Sequence, residues 1–321
     1  MTRYAEQLYW IGRYLERADH YVRMINVYYH RRDDRATHHE WLRLAAAAGD
    51  LTGLQNAHPH PNELNTLSYF TFEPSNPNSI LSSVQKARNN TRVMRQMLPG
   101  ELWELINSLY IWLKEQDVYQ VQAYPPYKFY KRIGEWLSLF NGAADSSMSR
   151  GRNWNFIQAG KYLERMRNTI HVLYDSCSHV LADESCSSDY EYSQCVSLLK
   201  ACGGYEAFRK LYANHVNLAE TADFLLQNAY FPRSVRFAVH ALKTCCESDL
   251  LIHGQIEQLS DQINHLLVHI RIDGISRDAN DGNAILDHLL QMTESCDQLG
   301  QLISDTCMDE ENPIRIASFV Q

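Results

Sequence analysis

Two copies of one six-residue phrase constrain this chain more than any other feature. Gly12-Arg13-Tyr14-Leu15-Glu16-Arg17 returns as Gly160-Lys161-Tyr162-Leu163-Glu164-Arg165, at an offset of 148 (160 minus 12). Around the first copy, Leu8, Ile11, Leu15, Ala18, Val22 and Ile25 keep a 3-4 spacing, one apolar stripe on a long helix. At the same offset they fall on Phe156, Ala159, Leu163, Met166, Ile170 and Leu173, a second such stripe. Upstream, Thr2-Arg3 matches Ser149-Arg150, and Thr2 and Ser149 are read as N-caps. Downstream, Pro77-Asn78-Ser79-Ile80 matches Pro232-Arg233-Ser234-Val235, and Ile80, Val84, Ala87 and Thr91 map onto Val235, Val239, Leu242 and Cys246. Separate blocks recurring in one order imply duplication of a helical unit of about 150 residues. The predicted class is all-α: one domain over 1–321, with repeat one at 1–147, repeat two at 148–305 and a tail at 306–321. Two copies, each opening on a long core helix, suit a closed bundle with pseudo-twofold symmetry better than a solenoid.

Glycine and proline are scarce, 14 and 9 in 321 residues, which favours long helices. The pattern predicts equivalent helices over Leu8–Tyr29 and Trp154–Tyr174. It predicts others over 80–98, Glu101–Lys114, Tyr190–Ala201, Tyr205–Tyr212, Leu218–Gln227, Ser234–Ser248, His253–Ile270 and Gly282–Asp305. Pro125-Pro126 breaks the chain, and Gly203-Gly204 separates two helices. Gly53 to Pro77 holds four of the nine prolines and is read as an irregular connection with about one helical turn. The tail after Asp309 is read as extended.

A hydrophobic fraction of 45% can fill a core, and a net charge of -8 argues against non-specific nucleic-acid binding. No run of 18 apolar residues exists, and Met1–Trp10 lacks a signal-peptide core, so no membrane association and a cytoplasmic location are expected. All eight cysteines lie in the second half with no C-x-x-C pair, which suits reduced structural thiols.

Leu8-Tyr9-Trp10-Ile11-Gly12-Arg13-Tyr14-Leu15-Glu16-Arg17-Ala18 resembles the opening of the bacterial alpha-E family, named for its helices and its Glu-Arg motif. Asn76 to Ile80, Met148-Ser149-Arg150, Gly160 to Arg165 and Phe231 to Val235 resemble that family's later blocks, in order. Asn228-Ala229-Tyr230 departs from it, where the family more often carries an acidic residue. The resemblance implies a context beside a circularly permuted ATP-grasp amide ligase, with a transglutaminase-like peptidase as a further partner. The implied role lies in a peptide-forming or peptide-tagging system, with a peptide or amino acid as substrate. Self-association into a homo-oligomer stays open at this stage.

Adjacent helix residues point about 100° apart, so Glu16 cannot pair well with Arg17. Arg13, Glu16, Arg17 and His20 share one face, which Lys161, Glu164, Arg165 and Asn168 repeat. Three readings apply: a solvated charged face, a buried network locking the halves together, or a binding or catalytic pocket. The two motif helices are expected side by side, with Glu16 meeting an arginine of another helix; Arg88, Arg92 and Arg233 are the candidates. Arg88 and Arg92, four residues apart, can clamp an anion, and Ser79 and Ser234 sit at helix starts. Arg150, Tyr205 and Arg209 complete the candidate binding residues.

No metal site is expected. His265 and His269 stand four apart without a carboxylate at ligand spacing, and no Glu-x-x-His occurs among the 14 histidines. No G-x-S-x-G, Walker A or G-x-G-x-x-G motif is present, so no cofactor is expected and ATP must come with a partner. The leading reading is therefore a non-ATP-binding helical partner of an ATP-grasp peptide ligase. An enzyme using Glu-Arg pockets for acid-base chemistry and a purely structural dimerisation module are the alternatives.

Overall fold

The structure is a computed structural model that describes residues 4–31, 38–123, 126–182, 187–213, 215–247, 253–270 and 279–309. Among these residues it is all helix, with no strand. The helices are α1 (Tyr4–Arg31), α2 (His38–Ala47), α3 (Leu51–Ala57), α4 (Glu63–Thr71), α5 (Ile80–Val93), α6 (Gly100–Lys114), α7 (Val118–Ala123) and α8 (Pro126–Ser147). The second half holds α9 (Arg152–Leu181), α10 (Ser188–Ala201), α11 (Tyr205–Tyr212), α12 (Leu218–Gln227), α13 (Val235–Glu247), α14 (His253–His269) and α15 (Ala279–Asp309).

The two long stripes meet at the centre, where α1 and α9 pack on each other. Every stripe residue of both helices is buried. Their contacts advance in step along both chains, from Gly12 beside Lys161 to Glu16 against Arg165, so the helices run in the same direction. Helix α1 also packs on α5 and α8, and α6 packs on both of those; α9 packs on α13 and α15, and α14 packs on both of those. The crossing is close because it is made at glycines. A Cβ at Gly12 would lie 2.0 Å from the Ile157 carbonyl oxygen, and one at Gly160 would lie 2.0 Å from that of Tyr9.

Several expectations need correction. Gly53 to Pro77 is not irregular: it carries the end of α3 and all of α4, with Leu67, Tyr69 and Phe70 buried. Its prolines flank these helices rather than interrupt them. The stripe from Ile80 to Leu98 leaves the α-helix after Val93, although Met94 and Leu98 stay buried in the following turn. Residues 127–147, given no element from sequence, form most of α8; Tyr130, Ile133, Leu137 and Phe140 supply its buried stripe. Gly151, not Ser149, is the N-cap of α9. Thr2 and the tail beyond Asp309 lie outside the described residues.

Helix ends obey local chemistry. The Ser79 hydroxyl accepts from the Ser82 amide at 3.2 Å, and that of Ser234 accepts from Phe237 at 3.1 Å, each satisfying a first-turn donor. After α10, Gly203 takes φ +65°. Its N–H donates to Lys200 and that of Gly204 to Leu199, the paired bonds that close a helix on a left-handed residue.

Candidate functional site

The carboxylates and arginines of the two motifs exchange partners across the α1–α9 crossing. Glu164 on α9 accepts from Arg13 Nε at 2.7 Å and from Arg17 Nε at 2.7 Å, both on α1. Glu16 on α1 accepts from Arg165 on α9 through Nε at 2.9 Å and Nη2 at 2.8 Å, a two-point fork. A second cation on Glu16 is Arg233, from the turn before α13, which also donates to Asp19 at 2.8 Å. Arg23 pairs with Asp19, lies 3.9 Å from Glu16 and donates to the Ala201 carbonyl at the end of α10.

Each carboxylate thus keeps two close arginines, but from different sources. At the Glu164 node both come from α1, and Arg17 also donates to Asn78 at 2.8 Å. At the Glu16 node Lys161 stands where Arg13 stands in the other motif, and it turns instead to Gln158 at 3.2 Å. Arg233, aligned with Asn78, supplies the missing cation. Burial alone would raise both carboxyl pKa values. Arg165 and Arg233 override that at Glu16 and hold it well below the usual range, and Arg17 and Arg13 bring Glu164 down to about 2. The two carboxylates are 3% and 1% exposed, so both stay ionised inside a closed cluster.

His20 is buried below this cluster, and burial, with Arg23 and His171 next, lowers its pKa to about 3. Lys161, half-buried and beside Arg165, is lowered to about 8 by burial first and by that arginine second. The His20 shift carries a pH prediction. A base with a depressed folded pKa is protonated more readily in the unfolded chain, so stability is full above the unfolded pKa and lost on acidification. His20 should therefore begin to cost stability below its ordinary 6.5, and the two glutamates should add to the loss below 4.5 as pH falls toward 2. Urea midpoints measured against pH should decline less steeply for His20→Asn than for the parent chain between those two values. Equal slopes would show that His20 is not the group being titrated.

The remaining candidates do not join the cluster. Arg88 donates to Asn107 at 2.8 Å and lies over Trp103 and Tyr110; Arg92 is exposed on the same helix, so neither meets Glu16. Of the three expected partners only Arg233 does. Arg150 pairs with Asp145 at 2.7 Å and covers the Trp154 ring. Tyr205 and Arg209 stack on each other on α11. Ser234 acts as a helix cap. The sequence reading missed Asp19 and Arg23, whose four-residue spacing on the Glu16 helix was a usable signal. His265 and His269 approach each other at 3.1 Å between ring nitrogens. Among the described residues no group of three or more His, Cys, Asp or Glu is placed to hold a metal, and no helix is long and apolar enough to cross a membrane.

A helical chain centred on crossed Glu-Arg motifs has a counterpart among known families. The chain belongs to the Alpha-E family, described as a predicted alpha-helical domain with a conserved ER motif, whose model matches residues 1–307. It is similar to uncharacterized proteins of Mycobacterium bovis and Mycobacterium tuberculosis, each 22% identical over 266 residues. The alignment covers 75% of this chain and 29% of those proteins, so the chain spans under a third of the length of these curated relatives. No solved structure matches it.

Proposed function

We propose that this chain is a duplicated helical module that performs no acid-base chemistry at its Glu-Arg motifs and serves as the partner of a circularly permuted ATP-grasp peptide ligase. The observation that carries the first part is the state of Glu16 and Glu164. A general acid or base needs a pKa near working pH and access to substrate. Both carboxylates have lowered pKa values, full arginine partnering and almost no exposure. That favours a lock between α1 and α9 over a reacting pocket.

Duplication is supported by the packing order. Helix α1 with α5, α6 and α8 follows the same scheme as α9 with α13, α14 and α15, while α2 packs on both α1 and α9, as does α10. The partner reading is supported by the relatives, in which the similar segment is under a third of a longer chain. Among the described residues, the buried thiols of Cys177, Cys202, Cys245 and Cys296 suit the cytoplasmic location such a partner would share.

The test adds the purified chain to a circularly permuted ATP-grasp ligase from the same genome and follows ADP release with amino-acid and peptide substrates. The chain should bind the ligase and raise its turnover, and alone it should neither hydrolyse ATP nor bind it with sub-micromolar affinity, about 8 kcal/mol. ATP turnover by the chain alone, or a ligase indifferent to it, would sink the proposal.

A further inference from the structure

From Pro74 to Gly100 the chain has no Asp or Glu, although its net charge is -8. The same stretch carries Lys86, Arg88, Arg92 and Arg95. Arg88 and Arg92 stand four apart on one side of α5, and Arg95, in the turn after it, lies over the same Trp103 ring as Arg88, so the three form a line of about 10 Å. Among the described residues no carboxylate lies within ion-pair distance of any of them. Helix α6 supplies a wall along this line. The Arg88 guanidinium sits 5.3 Å from the Trp103 ring centre and 4.7 Å from that of Tyr110, and Arg95 is 5.8 Å from Trp103. The Arg88 Nε is also held by Asn107. Arg88 is therefore fixed with its two terminal nitrogens still able to donate, and Arg92 and Arg95 are exposed beside it.

We propose that the Arg88–Arg92–Arg95 line, walled by Trp103 and Tyr110, docks an acidic peptide segment of a partner protein. A guanidinium binds a carboxylate through two parallel N–H donors, and a guanidinium already fixed over aromatic rings loses less freedom in doing so. Carboxylates repeated along a segment of about 10 Å would meet all three arginines. A nucleic-acid strand fits less well, because three cations on an acidic molecule give little of the extended positive field that binds a polyanion. Met97, two residues past Arg95, is exposed and lines a cavity of about 280 Å³ with Pro99, Ser149 and Asn153, which leaves room for a side chain at the end of such a segment. The proposal stands apart from the ligase reading, since it is read by peptide binding and not by turnover.

The experiment uses the full chain and fluorescein-labelled oligo-glutamate, with oligo-glutamine as its neutral counterpart, followed by anisotropy at rising salt. Oligo-glutamate should bind, weaken with salt and outcompete oligo-glutamine. Arg88→Gln combined with Arg92→Gln and Arg95→Gln should weaken binding at least about tenfold. Lys131→Gln, an exposed lysine on α8 paired with Glu135, should leave it unchanged. If the triple variant fails to fold, Arg92→Gln with Arg95→Gln touches only exposed side chains and should still weaken binding severalfold. The proposal is overturned if these variants bind like the parent, if oligo-glutamine binds as well, if oligo-glutamate does not bind at low salt, or if oligothymidylate binds more tightly and displaces it.

Discussion

Gly12→Ala and Gly160→Ala should each remove most of the chain's stability. A Cβ on Gly12 would lie 2.0 Å from the Ile157 oxygen and 2.8 Å from the Lys161 nitrogen; on Gly160 it would lie 2.0 Å from the Tyr9 oxygen. These are backbone atoms of helices 28 and 30 residues long, so neither can yield without moving a whole element. Overpacking ordinarily costs about 1–3 kcal/mol, and a backbone clash at the central crossing should exceed that. The Glu-Arg exchange should suffer as well, because it depends on the same separation. Gly142→Ala is the control: nothing lies within 4 Å of its would-be Cβ on α8, so helix propensity should make it stabilising by up to about 1 kcal/mol. Urea unfolding of the three variants decides the matter, and a Gly12→Ala protein as stable as its parent would refute the close crossing.

Glu16→Gln should cost about 3–5 kcal/mol, because the buried Arg165 and the half-buried Arg233 are left with their shared carboxylate gone. Glu164→Gln should cost a similar amount through Arg13 and Arg17. A rescue tells an exchange of partners from a general loss of packing. Arg233→Asn takes one of the two close arginines from Glu16, and Lys161→Arg restores the residue type that serves Glu164 at the aligned position. The double variant Arg233→Asn/Lys161→Arg should therefore be more stable than Arg233→Asn alone. If Lys161→Arg gives the single variant no help, the two nodes are not interchangeable solutions to one charge problem.

Much of this arrangement was legible before the structure. A helix writes its buried face into the sequence at a 3-4 spacing, so the long stripes of α1 and α9 and the smaller helices α11 and α12 were readable within a few residues. Where the reading failed, local signals competed. Prolines at the edges of α3 and α4 suggested loop, and an apolar stripe continued past Val93 because the following turn is also buried.

The pairing of charges was a different matter. From the sequence alone, Glu16 could be denied Arg17, since neighbours on a helix diverge. The same geometry could put Arg13, Glu16 and Arg17 on one face, and their recurrence 148 positions later could mark that face as more than ordinary surface. Which arginine meets which carboxylate was decided only by the fold. Two helices running in the same direction and crossing at Gly12 and Gly160 bring each Glu opposite the other motif's Arg. The turn before α13 then delivers Arg233 where Lys161 turns away. Helix periodicity is a property of neighbours in sequence, and burial inside a charged cluster is a property of neighbours in space. The first was written along this chain, and the second exists only once its two halves have packed.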